Sequence, residues 1–272
     1  MLDLLQYPFF RNALLGIFII SIPAAIIGAY IISRRLVAIS GGITHACFGG
    51  LGLGYYLGVS PMAMATVFAV ASALGVEWMS ARQRVREDSA IAVIWALGMA
   101  MGVLFVFMTP GYVPELNSFL FGNILTISRA DLITFAIYTA VLIVVFALWG
   151  RTIVICAFDS DYARVAGLPV TAVSRLMTVM IALCIVLTIR LVGIMLLMSM
   201  IALPAMIAET FVTRYRPITL WAVVISIVTG TGGLLLSAFV DVPCSAIIVI
   251  IQVSLYAASK AIKPLFNTLN IR

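Results

Sequence analysis

A chain of 272 residues with 64% hydrophobic and only 10% charged side chains has too little polar surface to remain in water as a globular domain. Its mean hydropathy of +1.22 belongs instead to helices solvated by lipid. The formal net charge of +6 comes with a single histidine, which excludes a histidine-rich metal centre.

Crossing the hydrocarbon takes roughly 20 apolar residues per helix, and the chain divides into about nine such segments in one membrane domain spanning residues 1–272. The opening MLDLLQYPFF lacks the basic start of a secretory signal, and the apolar run after it is too long for one. Asn12 to Ser33 reads as the first span and ends at Arg34 and Arg35. The second, Ile39 to Gly58 (ISGGITHACFGGLGLGYYLG), places His45 in a glycine-rich helix. Gly42, Ala46, Gly50, Gly54 and Gly58 recur every fourth residue, so one face carries almost no side-chain volume and a second helix can approach it closely.

Pro61 to Ala81 makes a third span, the charged loop RQRVRED follows, and Ala90 to Met108 returns across the membrane. From Thr109 to Asp131 the chain is less hydrophobic. There Leu116, Phe119, Leu120, Ile124 and Ile127 fall at near-helical spacing, as in a short interfacial helix. Leu132 to Trp149 is the fifth span, and a polar interruption covers about 151–174. Arg175 to Ile189, Leu191 to Phe211, Pro217 to Phe239 and Ser245 to Ser259 complete the nine. Residues 175–211 equally read as one long broken helix, which lowers the number of spans to eight and inverts part of the topology.

With nine spans, one side of the membrane collects all but Arg11, Arg129 and Arg190 of the 16 basic residues. Basic loops stay in the cytoplasm, which places the carboxyl terminus inside. The positive charge is thereby explained by orientation and gives no reason to invoke nucleic acid. Cys47, Cys156, Cys184 and Cys244 are scattered singly and suggest no disulfide framework.

In the polar interruption, FDSDYARVAGLP sets Asp161, Ala163 and Gly167 at the spacing acid-x-Ala-x-x-x-Gly. A short helix stopped by glycine and proline makes a rigid cytoplasmic projection able to transmit motion from a soluble partner, or an ordinary solvated loop helix. Five blocks then occur in order: GGITHACFGGLGLGYYLG, RVREDSAIAVIWALGMAMGVL, SFLFGNILTIS, FDSDYARVAGLP and RLVGIMLLMSMIALPAMIAE. Together they resemble the permease subunits of bacterial ATP-binding-cassette importers for zinc, manganese or iron. The resemblance implies an all-α polytopic helical bundle of about 8–9 transmembrane helices in the plasma membrane. It also implies a homodimer, an ATPase subunit that binds and hydrolyses ATP, and an extracytoplasmic metal-binding protein that delivers a divalent ion. The chain itself is then a transporter subunit and not an enzyme, binds no cofactor of its own, and would dock its ATPase through Asp161, Ala163 and Gly167.

Many members carry an acidic residue one helical turn before the histidine; here that position is Gly41. The carboxylate half of a carboxylate–imidazole pair is thus missing, and His45 stands either as a lone ligand or as a packing residue. As a ligand it would bind only as neutral imidazole, and so more weakly as pH falls through about 6.5. Met198, with its soft thioether, and Glu209, which follows Pro204 in its helix, are further pathway candidates. Glu77 and Asp241 lie near span ends, where a carboxylate reaches water. An ion-gradient-driven transporter, which needs carboxylates central to a span, and an ABC permease for a metal chelate are the alternatives. No phosphate loop or catalytic triad points to an enzyme.

Overall fold

A computed structural model of the protein describes residues 6–83, 85–111, 122, 124, 127–240 and 242–269. Among these, the regular elements are helices: α1 (Pro8–Ser33), α2 (Val37–Leu57), α3 (Pro61–Gln83), α4 (Glu87–Met108), α5 (Arg129–Phe158), α6 (Ser160–Val165), α7 (Val170–Phe211), α8 (Tyr215–Val240) and α9 (Cys244–Leu269). Eight helices among the described residues are long and apolar enough to cross a membrane. The polypeptide is a multi-pass membrane protein. Its large apolar side chains stay outside the core along several helices, with Phe107 85% exposed on α4 and Leu148 68% exposed on α5. Lipid solvates such surfaces, so their exposure carries no penalty.

The expected break at Arg190 falls instead at Gly193, whose φ of 78° and ψ of 174° interrupt α7. That conformation is accessible essentially to glycine alone, which is why the helix runs through Arg190 and stops three residues later. Of the two readings, the broken helix is the one observed. Val170–Ile194 is a full span, and Leu196–Phe211 is a shorter apolar arm.

The polar interruption is also shorter than expected. Helix α5 continues to Phe158 and α7 begins at Val170, because 150–158 is apolar apart from Arg151 and Thr152 and contains no proline. Of the expected interfacial helix, Leu116, Phe119 and Leu120 lie outside the described residues, while Ile124 and Ile127 are buried.

The chain forms two compact units, one of residues 1–33, 121–144 and 191–272, the other of 34–120 and 145–190. In the first, small residues let helices meet: Ala25, Ala29, Ala205, Ala208 and Ala222 pack around Ile218. A Cβ at Gly28 would collide with the Ile201 carbonyl. A buried polar chain crosses this unit, where Ser199 donates to Gln252 Oε1 and Gln252 Nε2 donates to Thr229 Oγ1 at 2.9 Å. The connection before α5 is fastened by Asn12 Nδ2 donating to the Ile127 carbonyl at 3.1 Å. Ser128 and Asp131 cap α5 reciprocally: Ser128 N donates to Asp131 Oδ2 at 3.0 Å and Asp131 N to Ser128 Oγ at 3.2 Å.

In the second unit, Arg34 follows α1 directly and draws helix ends together. It pairs with Glu87 at the start of α4, 3.8 Å away, and donates to the Cys156 carbonyl near the end of α5 at 3.5 Å. Glu87 and Asp88 in the first turn of α4 also complement its dipole. The four cysteines are free thiols.

Candidate functional site

The glycine-rich helix α2 packs through backbone contacts, but its five small residues do not share one partner. A Cβ at Gly42 would meet Ile91 of α4, and one at Gly98 of α4 would meet the Ala46 backbone. Gly50 and Gly54 turn to α3, where a Cβ would lie 2.5 Å from the Met64 carbonyl oxygen and 2.6 Å from Pro61 Cα, respectively. Gly58 makes no such approach. It is the left-handed C-cap of α2, at φ 67° and ψ 23°.

A second set, which the four-residue spacing does not reveal, joins α2 to α4. A Cβ on Gly49 would be 2.9 Å from the Gly98 carbonyl oxygen, and one on Gly52 2.6 Å from that of Gly102. The pattern was legible only by pairing the two glycine series, Gly49/Gly52 and Gly98/Gly102, across helices distant in sequence.

His45 projects beside this α2–α4 seam and is half-buried. Its imidazole stacks on the Trp95 indole of α4, with centroids 4.5 Å apart and planes 5° from parallel. Among the described residues the ring nitrogens make no hydrogen bond. Gly41, one turn earlier, is buried and brings no side chain.

His45 belongs to the second unit, and Met198 and Glu209 belong to the first. Met198 is 37% exposed in the short arm of α7, and Glu209 is exposed in its last turn. Glu77 of α3 is half-buried, with Oε2 shielded and without a hydrogen-bond partner among the described residues. Asp241 lies outside the described residues. No three His, Cys, Asp or Glu side chains converge among the described residues.

The FDSDYARVAGLP loop folds as the short helix α6. Asp159, which the sequence motif leaves out, is its N-cap, with Oδ1 accepting from Tyr162 N at 2.8 Å. Asp161 and Arg164 form an exposed pair at 3.3 Å. The end is a Schellman turn: Leu168 N donates to the Ala163 carbonyl at 2.9 Å, and Gly167 adopts φ 75°. Ala163 is fully buried and anchors the helix, while Tyr162 and Val165 stand out at 61% and 90% exposure. Asp161 and Gly167 are exposed. The result is a rigid knob with two apolar side chains at its surface.

Comparison with known proteins extends over the same elements. The chain is 34% identical to an uncharacterised membrane protein of Synechocystis, covering 97% of this chain and 94% of the relative. It is 30% identical to a "Probable metal transport system membrane protein" of Chlamydia trachomatis, over 96% of this chain and 91% of that one. A manganese transport system membrane protein of Halalkalibacterium halodurans is 29% identical over 96% of this chain and 90% of its own length. Among solved structures, PsaBC from Streptococcus pneumoniae in complex with Fab has the same fold, with a TM-score of 0.84 at 24% identity, over 95% of this chain and 93% of that one. The model for the ABC 3 transport family matches residues 6–263, from the first helix into the last, and the chain belongs to that family.

Proposed function

We propose that this chain is the membrane-spanning permease subunit of an ATP-driven importer in a bacterial plasma membrane and provides the path for a divalent transition-metal ion. Relatives named for metal and manganese transport, matched along their lengths, support the cargo class. The ion, zinc, manganese or iron, passes from an extracytoplasmic binding protein to a homodimer of this chain, and a separate ATPase subunit binds and hydrolyses ATP. His45, Met198 and Glu209 are the pathway residues of this reading.

The observation that carries it is α6. A capped, glycine-stopped helix that offers Tyr162 and Val165 to solvent fits insertion into a groove of a soluble motor. Asp161, Ala163 and Gly167 respectively brace, anchor and terminate that knob.

Gly167→Arg tests the coupling role. A Cβ at Gly167 would have no heavy atom within 4 Å, so bulk is accommodated within the chain and obstructs only a docked partner. Because any L-residue at φ 75° is strained by roughly 1–2 kcal/mol, Gly167→Ala serves as the control that shares the strain without the bulk. Co-purification with the ATPase and ATP hydrolysis in proteoliposomes should collapse for arginine and largely survive for alanine. Intact assembly and uptake with Gly167→Arg would remove α6 from the coupling role.

A further inference from the structure

We propose that Trp95 is a positioning residue for the ion pathway: its indole fixes the plane of the His45 imidazole, so that an arriving divalent ion meets a ring nitrogen from a set direction. The inference rests on the reading of His45 as a ligand. Near-parallel stacking at 4.5 Å and 5° places Trp95 over a face of the imidazole and not over its edge, where both nitrogens lie. Metal ions bind imidazole in the ring plane, through the nitrogen lone pair. Contact with Trp95 and ligation of an ion are therefore compatible in a single geometry.

A ligating histidine is ordinarily oriented by a hydrogen bond from its second nitrogen to a carboxylate or carbonyl. Among the described residues, His45 makes no such bond. The orientation comes instead from the stacked ring of Trp95, which is itself 42% exposed and is held over the imidazole by the backbone that carries it. Trp95 lies on α4 between Ile91, which faces Gly42, and Gly98, which abuts Ala46 and Gly49. These contacts bring the two backbones together without side-chain slack, so α4 cannot slide along α2 and carry the indole off the imidazole. Pre-ordering the ring removes the loss of rotamer freedom that an unsupported imidazole would undergo on meeting the ion.

The test uses the permease purified with its ATPase in nanodiscs without the binding protein. Zn²⁺ binding is measured by calorimetry for the wild type, Trp95→Phe, Trp95→Leu and His45→Ala. Trp95→Leu should weaken the dissociation constant on the order of tenfold, as loss of an orienting neighbour does at metal sites. Trp95→Phe, which keeps an aromatic face, should recover most of that loss, and His45→Ala should abolish binding. A second arm keeps the indole intact and so does not depend on how Trp95→Leu folds. Of the four tryptophans, Trp78, Trp149 and Trp221 are replaced by Phe, leaving Trp95 as the sole emitter. Co²⁺ should then quench its fluorescence saturably, and His45→Ala in that background should abolish the quenching.

Equal Zn²⁺ affinity in Trp95→Leu and the wild type, or equal loss in the Phe and Leu variants, would overturn the positioning role while His45 remains the ligand; unquenched Trp95 emission would take the ion away from His45 altogether. Wild-type binding by His45→Ala would overturn the ligand reading itself.

Discussion

Two single side chains within helices, one half-buried and one buried, stand apart from the apolar packing around them. At His45 the ring nitrogens make no hydrogen bond among the described residues, and Gly41 one turn earlier brings no side chain, so the proposed ligand is a nitrogen without the carboxylate expected beside it. His45→Ala should lower metal uptake into proteoliposomes far more than it lowers ATPase assembly. Gly41→Asp should tighten binding or change the order of ion preference, because it adds a hard oxygen donor beside a borderline nitrogen. Uptake at the wild-type rate and selectivity by His45→Ala would leave the histidine a packing residue. Gln252 is the other such residue, fully buried between Ser199 and Thr229. Gln252→Leu should lower thermal stability in detergent by about 1 kcal/mol, since two hydroxyls lose their partner in an apolar interior. His45 announced itself in the sequence as the sole histidine in an apolar run. Trp95 did not, because an aromatic in a transmembrane helix reads as lipid-facing until the helix opposite it is known.

At the scale of elements, glycine has different meanings at positions inside transmembrane helices. Gly50 faces the Met64 carbonyl oxygen at a Cβ distance of 2.5 Å, whereas Gly150 has nothing within 4 Å. Gly50→Ala should therefore destabilise by roughly 1–3 kcal/mol, the usual cost of overpacking. Gly150→Ala should stabilise by about 0.5–1 kcal/mol through helix propensity alone. Melting temperatures of the two variants in one detergent check the contrast; equal shifts would contradict the assigned packing. Helix α6 offers a similar comparison. Asp159→Ala removes its N-cap and should cost about 1 kcal/mol locally. The expected readout is weaker co-purification of the ATPase with little change in the melting temperature of the membrane domain. The sequence motif contained Asp161, Ala163 and Gly167, but the capping role of Asp159 depends on where the helix begins, which the motif does not specify.

At the scale of the whole molecule, eight membrane-length helices and the shorter arm 196–211 replace the nine spans of the hydropathy division, among the described residues. The difference arises at one residue. Gly193, at φ 78° and ψ 174°, allows α7 to break without a polar loop, three residues past the Arg190 at which the hydropathy reading divides the spans. Gly122, itself at φ 68°, packs directly on the Val192–Gly193 backbone and leaves no room for a side chain. Gly193→Ala should cost on the order of 1–3 kcal/mol, visible as reduced yield and a lower melting temperature of the purified chain. Wild-type stability would show that the break tolerates an ordinary residue.

The sequence by itself determined the membrane class, the approximate positions of the spans, the helical architecture and the short glycine-stopped helix of the FDSDYARVAGLP loop. Each depends on local composition or on residues within one or two turns, and hydrophobic periodicity and punctuation by glycine and proline report such features directly. The tertiary structure decided which helix faces each glycine of α2, that Trp95 lies against His45, that Gln252 links Ser199 to Thr229, and that the break falls at Gly193 and not at Arg190. These depend on partners far apart in the chain or on a backbone dihedral that leaves no compositional trace. In lipid, hydrophobicity is alike on every face of a helix, so it cannot specify the neighbour. Close packing between particular backbones does.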